Sequence, residues 1–182
     1  MGEGFMKNTK ITILLLCLVL LLPQGVLGAG GRPPVASNRN VVIVLNGKKQ
    51  DIPKDLGVPY LDKKTQRTMI PIRYIGEALG LEVAYIPENK EGYHAFLLGN
   101  DEFAVGMPIG APFAVYVRGA EEKVIDLDGG AYIYNGRSYA PLRFISEVMG
   151  YKVTWTRDEK KNTDQVTIQA GAGERKTKAV SL

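Results

Sequence analysis

The sequence is poor in the residues that carry most covalent and metal chemistry. Its 182 residues include one cysteine, one histidine and one tryptophan. Cys17 sits inside an apolar run near the start, so the chain beyond it is cysteine-free, no disulfide can brace it, and its core must suffice alone. A copper or zinc site takes two or three imidazoles or thiolates, and His94 is a single imidazole, best read as a strand residue. No nucleophile elbow supports a Ser-His-Asp arrangement. Charge of one sign is also missing: 23 Lys and Arg against 19 Asp and Glu leave a net charge of +4, and the signs are interspersed. That excludes the basic stripe with which a protein binds nucleic acid. The cluster Arg175-Lys176-Thr177-Lys178 lies in a Gly- and Ala-rich tail and reads as solvated. Asp126-Leu127-Asp128-Gly129 starts like a calcium loop, but Gly130 and Arg137 stand where further oxygen ligands belong.

What is present begins with a leader. Lys7 and Lys10 precede an apolar run over residues 11–22; Pro23 and Gly25 break it, and the chain reaches Gly28 through modest side chains. A charged start, a short apolar middle and a small-residue exit predict a secretory signal over residues 1–28, cleaved after Gly28 to within two residues. The run is about 12 residues, short of the roughly 20 that span a bilayer. Cys17 is a poor lipidation site, because Leu16 precedes it. Residues 29–40 read as a polar linker, and residues 171–182 as a flexible tail.

The most informative feature is internal. Residues 67–85 read R-T-M-I-P-I-R-Y-I-G-E-A-L-G-L-E-V-A-Y, and residues 137–155 read R-S-Y-A-P-L-R-F-I-S-E-V-M-G-Y-K-V-T-W. At a constant offset of 70, Arg67/Arg137, Pro71/Pro141, Arg73/Arg143, Ile75/Ile145, Glu77/Glu147, Gly80/Gly150 and Val83/Val153 are identical. One supersecondary unit is used twice. In each copy the proline opens a helix of about nine residues, with Ile72, Ile75, Ala78 and Leu79, or Leu142, Ile145, Val148 and Met149, on one face. Gly80 and Gly150 end the helices, and an alternating strand runs on through Tyr85 or Trp155. Short strands are expected at residues 40–45, 94–98, 102–107, 114–117, 132–134 and 166–169, with type I′ turns at Asn46-Gly47 and Asn135-Gly136. The expected fold is α+β: two copies of a small antiparallel β-sheet packed around a short α-helix, the first over residues 41–110 and the second over 111–170.

The Asn-Gly turn, the two P-x-R-x-I-x-E-x-x-G blocks and Trp155 five residues beyond the second resemble the copper amine oxidase N-terminal domain-like family, also called the stalk domain. The resemblance covers most of residues 41–168 and is better in the second copy. In the first, Lys63-Lys64-Thr65-Gln66 replaces Asn-Gly before Arg67, and Tyr85 replaces Trp. It implies an antiparallel sheet curled around a helix in secreted cell-surface proteins of Gram-positive-type bacteria. It implies an accessory, non-catalytic module without a cofactor, since the copper and quinone of the oxidases belong to a separate domain.

Repeat residues belong to the fold, and residues that differ between copies are better candidates for binding. Arg before Glu at i,i+4 opposes the helix dipole, so Arg73 and Arg143 are expected to bond strand carbonyls or the other copy rather than Glu77 and Glu147. Alternation puts Tyr132, Tyr134, Arg137 and Tyr139 on one side of the second hairpin. These tyrosines either cover the core or meet the other copy, which is the favoured reading, or form a platform for sugar rings. The functional expectation is a secreted cell-envelope spacer, or a weak binder of cell-wall polysaccharide or of another surface protein. A protein–protein module that partners or inhibits a secreted hydrolase is the alternative. A hydrolase or oxidase remnant would need a cleft gathering carboxylates such as Glu77 and Glu147, and the repeat already accounts for both.

Overall fold

The two Asn-Gly dipeptides take up the left-handed conformation that a type I′ turn demands: φ is +49° and +82° at Asn46 and Gly47, and +49° and +69° at Asn135 and Gly136. Each closes a tight hairpin. A computed structural model describes residues 35–87 and 94–171; the leader, the first half of the linker and the tail beyond Gly171 lie outside the described residues. Among those described, thirteen strands and two short helices make a mostly β protein with three sheets.

The chain divides into two compact units, and the division cuts across the expected succession of 41–110 and 111–170. One unit is continuous, residues 81–132. The other is discontinuous and takes the described residues on both sides of it, 35–80 and 133–171.

The continuous unit is a five-stranded antiparallel meander: β5 (Glu82–Ile86), β6 (Ala95–Gly99), β7 (Ala104–Pro108), β8 (Phe113–Arg118) and β9 (Glu121–Asp126). β6 and β7 are buried along their whole length. Ala95, Leu97, Ala104 and Val115 pack together on one face, with Ala84, Ile86, Phe113 and Val117 around them. β9 went unexpected because Glu121, Glu122 and Lys123 hide its pattern. It is a charged, exposed edge strand, which discourages further pairing.

The discontinuous unit has two four-stranded sheets. The first runs β12 (Tyr151–Asp158), β13 (Thr163–Ala170), β1 (Asn40–Leu45) and β2 (Lys48–Lys49). β1 and β13 pair in parallel, Asn40 with Thr163 through Leu45 with Ile168, so this sheet is mixed and not purely antiparallel as expected. Local hairpins predict antiparallel neighbours; a pairing between distant segments escapes that logic. The second sheet runs β10 (Tyr132–Tyr134), β11 (Arg137–Pro141), β4 (Thr68–Pro71) and β3 (Tyr60–Leu61). Its centre pairs Tyr139 with Pro71, Ala140 with Ile70 and Pro141 with Met69.

The helices α1 (Ile72–Ala78) and α2 (Leu142–Val148) are seven residues each, shorter than expected. Pro71 and Pro141 do not occupy the first helical position. Each is the last strand residue and the cap, with an extended ψ of 121° or 116°, and no side chain caps either helix. A proline fixes φ and lacks an N–H, so it ends the ladder while the next residue begins the helix. Gly80 and Gly150, at φ +76° and +78°, terminate the helices as the sequence predicts. Ile72, Ile75, Leu79, Leu142 and Ile145 are buried, but Ala78 is exposed, and Gly76 and Ser146 take the inward position in its place. Each helix touches the strand that precedes the other, α1 on β11 and α2 on β4, and α2 also packs on β12. A helix of this length cannot stand alone in water, so these contacts hold it.

Candidate functional site

The tyrosine face is mostly closed. Tyr134 and Tyr139 come together with Tyr60 of β3, at ring-centroid distances of 5.7 Å (Tyr60–Tyr134), 5.1 Å (Tyr60–Tyr139) and 6.3 Å (Tyr134–Tyr139). Tyr139 is only 4% exposed. The segment before β3 covers it, with the Val58 backbone beside the Tyr139 hydroxyl. Gly57, at φ +107°, comes so close that a Cβ there would strike the Tyr139 hydroxyl and Pro71. Burial pushes the Tyr139 hydroxyl above its ordinary pKa, with Val58 and Arg137 opposing the shift less strongly. Arg137 is exposed, and its Nε donates to the Asp55 carbonyl. Tyr139 therefore offers no ring face to a sugar; it is a core residue. Tyr134 is half-buried in the same cluster, and Tyr132 is half-buried at the start of β10, outside these ring contacts.

The arginines of the helices also sit otherwise than expected. Arg73 is exposed, and Arg143, half exposed, lies with Nε 3.8 Å from Glu147 Oε1. The i,i+4 pair that dipole arguments disfavour is the one Arg143 makes, and at that exposure it contributes well under 1 kcal/mol.

An open groove lies elsewhere in the discontinuous unit, with a volume of about 280 Å³. Its floor is apolar: Leu61, Pro141, Leu142, Val153 and Val166. Its rim is polar and cationic: Gln66, Arg67, Thr68, Arg143, Trp155 and Arg157. Alternation along β12 explains the arrangement. Val153, Trp155 and Arg157 share a face, opposite Ile168, Val166 and Asp164 of β13. That face is half-buried at Val153 and emerges at Trp155, which is 42% exposed.

The rim is braced. Asp164 is fully buried and accepts from Arg157 Nε at 2.9 Å and from Arg39 Nε at 3.0 Å. Arg39 also reaches Glu159 at 2.8 Å and the carbonyl of Asp158 at 3.2 Å. Arg157 is thereby held with its guanidinium 4.7 Å over the Trp155 ring. On the opposite side Asp62, nearly fully buried, organises the turn that replaces Asn-Gly in the first copy. Its carboxylate accepts from the Thr65 hydroxyl at 2.7 Å and from the backbone N–H groups of Val35, Lys64 and Thr65. Burial alone would raise its pKa, but these donors outweigh it and hold the carboxyl below the usual range. The turn carries Gln66, at φ +56°, and Arg67 to the rim.

Sequence reasoning placed Arg67, Arg143 and Trp155 among the structural residues of the repeat; the structure brings them to one groove. It does not bring the four residues of the tyrosine face to one open surface. The missed signal was W-T-R at residues 155–157, an aromatic and a cation at strand spacing on a face that should have been core.

The sequence model of the copper amine oxidase N-terminal domain matches residues 44–168. No curated protein and no solved structure matches the chain. The residues present do not fit a copper centre: the one histidine, His94, lies 3.4 Å from the Tyr85 hydroxyl, and among the described residues no three of His, Cys, Asp and Glu gather as a ligand set.

Proposed function

The chain belongs to the copper amine oxidase N-terminal domain family, and from that premise we propose that it is a non-catalytic module of the bacterial cell envelope, a spacer or a weak binder of cell-wall polymers or surface proteins. In this reading residues 1–28 export the chain of a Gram-positive-type bacterium, and the exported part is a scaffold made by duplication. The observation that carries it is the central pairing of β4 and β11. The 70-residue offset that relates the copies turns the pair Met69–Pro141 into the pair Tyr139–Pro71, with Ile70 and Ala140 between them. Two copies of one unit face each other across a near-symmetric ladder, and the repeated Pro71, Pro141, Ile75 and Ile145 are buried in building it. The membership itself is of an accessory N-terminal domain.

Fractionation of expressing cells tests the reading, with N-terminal sequencing and sedimentation on purified walls at low salt. The expected result is a chain starting within two residues of Ala29, found in the medium or the wall fraction and retained on walls. A chain recovered from the cytoplasm with residues 11–22 intact would overturn it. Turnover of an amine or glycan by the purified protein would do the same.

A further inference from the structure

We propose that the groove between β12, α2 and the β3–β4 turn binds a sugar ring that carries an anionic substituent, a carboxylate or a phosphodiester; this rests on the wall-binding reading and names the part of the polymer that is recognised. Three guanidinium groups, on Arg67, Arg143 and Arg157, line the groove, and no carboxylate does. Guanidinium is planar and presents its donors in the fork that matches carboxylate and phosphate oxygens. Arg157 has its Nε–H on the buried Asp164, with Glu159 Oε1 a looser 3.8 Å from the same nitrogen, so its orientation is fixed while the donors of its terminal nitrogens point elsewhere. Arg143, half exposed on α2, approaches Glu147 only at 3.8 Å, a contact loose enough to yield to a better-placed anion.

Charge alone would suit any anion. The choice of a sugar comes from the rest of the groove. Trp155 exposes indole beside an apolar floor of Leu142, Val153 and Val166. An aromatic face suits the C–H face of a pyranose, and Gln66 and Thr68 stand at the rim to bond ring hydroxyls. A volume of about 280 Å³ is at the small end for ligand sites and fits one ring rather than an extended drug-sized molecule. The site is built before the ligand arrives, because the Asp164 and Asp62 networks hold both walls.

Calorimetry of the protein as recovered from expressing cells tests this, with four probes: an oligogalacturonate, whose anion is a ring carboxylate; a glycosyl-phosphate oligomer, whose anion is a phosphodiester; neutral chitotriose; and acyclic polyphosphate. The expected result is saturable binding of one or both anionic sugars, at least tenfold tighter than chitotriose or polyphosphate, weakening with salt and shifting the fluorescence of Trp155, the sole tryptophan. Whichever anionic sugar binds identifies the anion. Arg143→Ala and Trp155→Phe should each weaken that binding about tenfold, while Arg118→Ala in β8 leaves it unchanged. Binding of the anionic sugars that is indifferent to Arg143→Ala and Trp155→Phe would overturn the proposal. So would failure of both to bind, equal affinity for chitotriose or polyphosphate, or tighter binding of a poly-glutamate peptide. Wall sedimentation separates the two claims: a wild-type chain retained on walls, with groove variants retained equally, sinks the groove and leaves the wall-binding reading standing. A wild-type chain not retained at all sinks the wall-binding reading.

Discussion

A single buried carboxylate shows how one residue can rescue a turn. The first copy lacks the Asn-Gly dipeptide, and Asp62 replaces its geometry with four hydrogen bonds from hydroxyl and backbone donors. Its pKa in the folded chain is lowered, so its contribution to stability is fully present above the ordinary aspartate value near 4 and is lost as pH falls through the lower, folded value. Asp62→Asn should cost about 1–2 kcal/mol at neutral pH and flatten the decline in stability between about pH 5 and pH 2, read by urea unfolding at each pH. Ser146 is the opposite case. It is fully buried on α2, its hydroxyl has no hydrogen-bond partner among the described residues, and Gly76 takes its place in the first copy. Ser146→Ala should therefore leave stability unchanged or raise it by up to about 1 kcal/mol, a rise visible as a higher urea midpoint.

Local chemistry made the elements legible. Asn46-Gly47 and Asn135-Gly136, the glycine stops and the helical faces through Ile75 and Ile145 all follow from side-chain geometry within a few residues, and they appear where the sequence puts them. What local chemistry leaves open is of one kind. Ala78 was given to the core because a period of 3.6 does not say where a two-turn helix stops contacting its sheet. Tyr139 was favoured as a core or interface residue, with a sugar platform as the alternative, because alternation assigns a side of the strand without saying what covers it; residues 55–58 cover it, which leaves the core reading. Trp155 was read as a residue of the fold, and the same silence hid its 42% exposure. The groove needed three separate segments, around Arg67, Arg143 and Trp155, and sequence spacing cannot bring them together. Leu142, 1% exposed, stands both in the α2 core and on the groove floor. Leu142→Ala should cost about 2–5 kcal/mol, measured as a lower midpoint of Trp155 fluorescence in urea.

On the scale of the whole chain, the division into two units follows from one long-range pairing. β1 enters beside β13, with β2 on its other edge, and Ile43, Val166 and Ile168 of these strands are buried. Parallel neighbours need a long crossover, and here the intervening chain includes the entire five-stranded unit. Such a connection makes the discontinuous unit rich in non-local contacts, which slows folding. It also explains why sequence similarity and structural division disagree: after α1 the chain leaves for β5 in the continuous unit, whereas after α2 it stays, as β12.

Disulfide trapping across β1 and β13 tests that pairing most directly. In a Cys17→Ser background, Val42→Cys and Gln165→Cys place thiols at paired positions, where neighbouring strands lie about 5 Å apart. Val42→Cys with Gln169→Cys places them four residues out of register, roughly 13 Å further along the strand. Peptide mass spectrometry after mild oxidation should find the 42–165 disulfide within single molecules and little or none of 42–169. No 42–165 bond, or equal yields of the two, would contradict the assembly of one unit from both ends of the described chain.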